Sequence, residues 1–141
     1  MTDKPPAAVL FYGFAGLIPF LAPPLLTLLW PEQRGLFEQA LLWWAAIILS
    51  FLGGARWGAA VQAPAPDPRL IGLTMVPSIF AFAALLAPVE LSFRMLLLIT
   101  GFLLVLIWDR RSGGLPGWYG WLRERLTALA AVGLIGQLLV S

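Results

Sequence analysis

Ser50-Phe51-Leu52-Gly53-Gly54-Ala55-Arg56-Trp57-Gly58 gathers glycines, an arginine and a tryptophan near the end of a long apolar run. A bilayer-crossing helix needs about 20 mainly apolar residues, and residues 36–61 supply them. Between helices in lipid there is no hydrophobic drive, so small residues that let backbones approach do the packing. Gly54 and Gly58 have the Gly-x-x-x-Gly spacing and Gly53 adds a neighbour, so these three are the expected helix-packing seam. The seam could join helices of one chain, join two copies, or admit a ligand that needs close backbone approach.

Working outward, the whole chain has the same character. Of its 141 residues, 60% are hydrophobic and 11% charged, against about 25% charged in ordinary soluble domains. A soluble domain this small buries only about 60–70% of its unfolded surface, so lipid must take the rest. Cysteine and histidine are both missing. That excludes disulfides, thiolate chemistry, imidazole-bound haem and the usual zinc sites, and no cofactor or metal is expected. The usual proton shuttle near neutral pH is missing too. Ser50, Ser78, Thr74 and Thr100 are mid-span hydroxyls without an activating base, which points to local helix hydrogen bonds. A net charge of +2 with scattered basic residues argues against nucleic acid as a partner.

The expected fold is all-α: a polytopic membrane helical bundle of five transmembrane helices with proline kinks. One transmembrane domain, 1–141, would hold spans at about 7–30, 36–61, 70–87, 91–108 and 122–140. Residues 1–6 read as a short polar tail. The first span is longer than the 7–15 apolar residues of a cleaved signal and is expected to be retained. Pro19, Pro23 and Pro77 are the expected kinks, because an interior proline removes a backbone donor and clashes with the turn before it. The proline-dense stretch 62–69 reads as an extended loop. With five spans, Lys4, Arg56, Arg69, Arg110, Arg111, Arg123 and Arg125 fall on one side, and Arg34 and Arg94 on the other. The positive-inside rule then places the N-terminus in the cytoplasm and the C-terminus outside.

Two regions are candidate sites. Charges within a membrane region are costly and usually face protein, water or a partner. Arg56, with Trp57 beside it, could pair with Asp109 at the end of span four, snorkel to the surface, or hold an acidic ligand. The second region is the loop at 108–125. There Arg110, Arg111, Trp118, Tyr119, Trp121, Arg123 and Arg125 combine rings and cations as at a membrane interface; the expected role is anchoring against lipid headgroups, with a polar-headed lipid or quinone site and docking of a partner protein as the alternatives.

Three stretches carry a resemblance: Tyr12-Gly13-Phe14-Ala15-Gly16-Leu17-Ile18-Pro19-Phe20, then Ser50 to Gly54 with Arg56-Trp57-Gly58, then Leu115-Pro116, Trp118-Tyr119, Leu122-Arg123 and Leu126-Thr127. With these the chain resembles the DUF3429 family of small uncharacterised membrane proteins, bacterial with a mitochondrial transmembrane relative in animals. The resemblance implies a multi-pass helical protein of the bacterial inner membrane and no enzyme activity, substrate or cofactor. The leading function class is a small scaffold or accessory protein that packs with itself, as a homo-oligomer, or with another membrane protein. A lipid- or quinone-binding module or small carrier using the Arg56 region is the alternative. A membrane enzyme, confined to Arg56, Asp109 and Glu38, comes last. Membrane lipids are partners in every case.

Overall fold

The computed structural model describes residues 4–141, so the first three residues of the expected polar tail lie outside it. The chain folds into an all-α polytopic membrane bundle kinked at prolines. Its described helices are α1 (Ala7–Ala15), α2 (Ile18–Leu29), α3 (Arg34–Val61), α4 (Pro68–Leu73), α5 (Val76–Leu86), α6 (Leu91–Arg111) and α7 (Gly117–Val140). Among the described residues, four helical stretches are long and apolar enough to cross a membrane: Ala7–Leu29, Pro31–Val61, Pro68–Leu86 and Leu91–Arg111. The fifth stretch is α7, whose 24 residues rise about 36 Å. Its early turns carry Arg123, Glu124 and Arg125, so it is long enough but less apolar than the other four.

The first and third stretches are each broken in two. Pro19 cannot donate to the carbonyl four residues before it, and its ring crowds that turn. The helix therefore ends at Ala15 and restarts at Ile18. Pro77 does the same between Leu73 and Val76. The bridging residues match: Gly16 and Thr74 have φ/ψ of −63°/−14° and −65°/−15°, and Leu17 and Met75 have −78°/−19° and −79°/−18°. The chain stays helical in hand and tightens locally, with Leu17 N–H donating to Phe14 O and Met75 N–H to Gly72 O, each at 3.1 Å. Pro23 behaves differently, because α2 runs on through it and Pro24, and both are buried.

Helix ends also depart from the expected spans. Asp67 caps α4 by accepting from Arg69 N–H at 2.9 Å, and Pro68 occupies the first helical position, where no donor is needed. Part of the expected loop is thus helix. Helix α6 continues to Arg111, and α7 begins at Gly117 after Pro116.

Helix α3 is the central strut, packed against α2, α5 and α6, and α7 closes the bundle against α2 and α6. Leu41, Leu42, Ala45 and Leu49 of α3 meet Met95, Leu98 and Phe102 of α6 and Leu134 of α7 in the core. Phe11, Ile79, Phe82 and Leu139 stand on the outside, where only lipid makes such exposure favourable. Helices α2 and α7 approach closely at Gly133. Pro24 leaves Phe20 O without its helical donor, and Gly133 lies directly on that carbonyl, where a Cβ would overlap it. One turn further on, Gln137 Nε2 donates to Thr27 Oγ1 at 3.1 Å, and the Thr27 hydroxyl donates to Pro23 O at 2.9 Å.

Candidate functional site: a charged cluster beside an apolar cleft

Because α6 does not stop at Trp108, Asp109 falls on the buried stripe of Leu98, Phe102 and Val105, the spacing that aligns one helix face. It is 6% exposed. Arg56 of α3 donates through Nε to Asp109 Oδ1 at 2.6 Å, and Arg123 of α7 donates through Nε to Oδ2 at 3.0 Å. Arg56 Nη1 also donates to Gly113 O at 3.0 Å, and its guanidinium lies 5.7 Å from the centre of the Trp108 ring. One carboxylate therefore ties three helices through two guanidinium groups. Breaking a buried pair by removing one partner costs about 3–5 kcal/mol.

The cluster is short of acceptors. It holds two cations and one anion, a net charge of +1. Nη2 of Arg56, Nη2 of Arg123 and the Thr127 hydroxyl are buried without a hydrogen-bond partner in the protein. Arg123 is 4% exposed and Thr127 2%. An unmatched buried polar group costs about 1–3 kcal/mol, more if charged.

Two of those three residues, Arg123 and Thr127, line a cleft of about 420 Å³. Its walls are Tyr12 and Gly13 of α1, Phe20 of α2, Ile48, Phe51 and Leu52 of α3, Phe102 of α6, and one face of α7 from Tyr119 to Ala130. Helix α1 stands over the cleft and buries no residue of its own. A Cβ at Gly13 would reach Leu126 in ordinary contact at 3.5 Å. The lining is mostly apolar; its polar side chains are Tyr12 of α1 and Tyr119, Arg123 and Thr127, which follow at four-residue intervals along α7. Tyr119 stands in the first turn of α7. The arrangement can hold an apolar chain along the cleft and a hydrogen-bond acceptor at its head.

The remaining sequence candidates are placed as follows. Gly53 packs inside the bundle, where an added Cβ would lie 2.8 Å from Thr74 O and 3.1 Å from Pro77. Gly54 and Gly58 face open space, and Trp57 is exposed. Arg110 meets Glu124 at 3.1 Å with both half-exposed. Arg125 stacks on Trp121 at 4.8 Å, the Trp118 and Tyr119 rings meet edge-on, and Arg111 is exposed. Arg123 differs from these cations: grouped with the headgroup residues from sequence, it points into the protein. Ser50 and Ser78 share a hydrogen bond of 2.7 Å between α3 and α5.

Gln137 and Gly133 carry no signal in the sequence, Thr127 stands there only within a stretch of family resemblance, and Trp44 reads only as a packing or membrane-belt residue. The Tyr119–Arg123–Thr127 spacing was a usable signal, since residues four apart share a helix face. Trp44, whose indole donates to Gly16 O at 3.0 Å, had no such signal.

Comparison with known proteins places this architecture in a family. Residues 5–139 match a family described as "Protein of unknown function (DUF3429)". Transmembrane protein 69 of Xenopus tropicalis is 38% identical over 144 residues, a match covering 96% of this chain and 55% of that protein. Transmembrane protein 69 of Mus musculus is 32% identical over 145 residues, covering 100% of this chain and 59% of that protein. The chain thus spans little more than half the length of these relatives. No solved structure matches it.

Proposed function

We propose, from the premise that this chain belongs to the DUF3429 family of small membrane proteins, that it is a binding module for a membrane amphiphile of the lipid or quinone class. The apolar portion lies in the cleft, and the head meets Arg123, Thr127 and Tyr119. One observation carries this reading: Arg123 and Thr127 line a mainly apolar cleft, and Arg123 Nη2 and Thr127 Oγ1 are buried beside it without a partner. The stretches that carry the family resemblance also converge there, through Tyr12 and Phe20, Phe51 and Leu52, and Tyr119 to Thr127. Arg56 does not line the cleft. Its role is to hold Asp109, which in turn holds Arg123.

Native mass spectrometry of the protein, extracted gently from its own membrane, tests the reading. A discrete amphiphile adduct on the wild type, reduced in Thr127→Val, supports it. Bare protein, or an adduct indifferent to both Thr127→Val and Arg123→Gln, removes it.

In this reading α7 is the fifth crossing, with the N-terminus cytoplasmic, the C-terminus periplasmic and the charged cluster near the cytoplasmic face of the inner membrane. Single cysteines replacing Lys4 and Ser141 label from opposite sides if five helices cross, and from the same side if four do. The scaffold reading keeps one specific support, the open Gly54–Gly58 face on α3. Disulfide trapping of Gly58→Cys would report a self-association through it.

A further inference from the structure

Resting on the reading of the cleft as an amphiphile site, we infer that its occupant carries an anionic head, a carboxylate or a phosphate monoester, and not a neutral quinone or alcohol. Asp109 divides its two oxygens between Arg56 at 2.6 Å and Arg123 at 3.0 Å, so a single negative charge serves two guanidinium groups. Both contacts use Nε, and each guanidinium keeps Nη2 buried without an acceptor. A net positive charge held away from water is unfavourable unless a counter-charge arrives.

Arg123 is the member of the cluster that reaches the cleft wall. The Thr127 hydroxyl, one turn along the same face, is also free. A guanidinium nitrogen and a hydroxyl one helical turn apart suit the oxygens of one small anion, and hydrogen bonds to an ionised acceptor are roughly twice as strong as neutral ones. A quinone carbonyl would satisfy one donor and leave the charge unbalanced. Beyond Thr127 the α7 wall runs to Ala130, about 4.5 Å further, and Phe20, Ile48 and Phe102 of the other helices continue the apolar lining. That shape suits an acyl chain.

The test uses the full-length protein, purified in neutral detergent and freed of bound lipid. Oleate, dodecyl phosphate, oleyl alcohol and decylubiquinone are titrated separately and read by native mass spectrometry. Oleate or dodecyl phosphate, or both, should bind about tenfold or more tightly than oleyl alcohol and decylubiquinone, the range expected for one charge-assisted contact. The tighter of the two anions identifies the head as carboxylate or phosphate. Arg123→Gln should erase the difference between anionic and neutral probes. Thr127→Val leaves the Asp109 pairs untouched and should weaken the anions severalfold, so the inference stays testable if Arg123→Gln does not fold. Neutral probes that bind as tightly as the anions would overturn the anionic head and leave the cleft reading standing. No binding by any of the four probes would overturn both.

Discussion

The break before Pro19 and the break before Pro77 share one backbone geometry, yet the cleft opens beside the first and a close helix contact fills the second. At Pro77, α3 presents Gly53, and the backbones of α3 and α5 come together until Thr74 is 1% exposed. Thr74 satisfies its own surroundings by donating to Ile71 O at 2.6 Å. At Pro19, α3 presents Trp44, Ile48, Phe51 and Leu52. The Trp44 indole reaches across to Gly16 O at 3.0 Å, and the bulk of its neighbours lines a cleft beneath α1. A proline break creates carbonyls that need donors and a bend that needs filling. The size of the side chain opposite decides whether the bend becomes a seam or a site.

That contrast can be broken by substitution. The largest expected effect is on the cleft side, where Asp109→Asn strips the counter-charge from two buried guanidinium groups. It should cost about 3–5 kcal/mol, measured by denaturant unfolding in mixed micelles, and should exceed Arg94→Gln clearly. Equal tolerance of both substitutions would show that the cluster does not hold α3, α6 and α7 together. Next comes Gly53→Ala on the sealed side, expected to cost about 1–3 kcal/mol by forcing α3 from α5. Unchanged thermal stability there would mean that the seam can yield.

Two smaller effects would sharpen the comparison. Trp44→Phe keeps most of the ring but leaves Gly16 O unpaired, at a cost of about 1–2 kcal/mol. Faster hydrogen exchange should follow around residues 14–20, with 72–79 unaffected. Exchange that rises equally at both bends would deny Trp44 its local role. Gly13→Ala is the mildest. It meets Leu126 in ordinary contact and replaces a helical glycine, so stability should hold or rise by about 0.5–1 kcal/mol, while the narrower cleft weakens amphiphile binding. A stability loss as large as that of Gly53→Ala would erase the difference between the two bends.

Much of this was legible before any coordinates. Helix content, the prolines at which two spans break, and the membrane setting follow from local composition. The candidate site was only partly legible. Arg56 and Asp109 stood out because a charge in an apolar stretch is rare. Arg123 was hidden among Arg110, Arg111 and Arg125, since all four lie in one polar-aromatic segment. Helix phase separates them: Arg123 shares the inward face with Leu122, Thr127 and Ala130, while Arg110 and Arg125 turn outward. Gly53, Gly54 and Gly58 looked equivalent by spacing, yet only Gly53 meets another backbone.

By itself, then, the sequence determined that this chain is an all-α polytopic membrane protein and that Pro19 and Pro77 interrupt its helices. Those properties depend on hydropathy and backbone chemistry within a turn or two of each residue. Tertiary structure alone decided that two arginines share one aspartate, that Gly133 rests on a carbonyl released by Pro24, and that Thr127 is left without a partner beside a cleft. Each depends on which helices are neighbours and how closely their backbones approach, and that is settled by packing among residues distant in the chain.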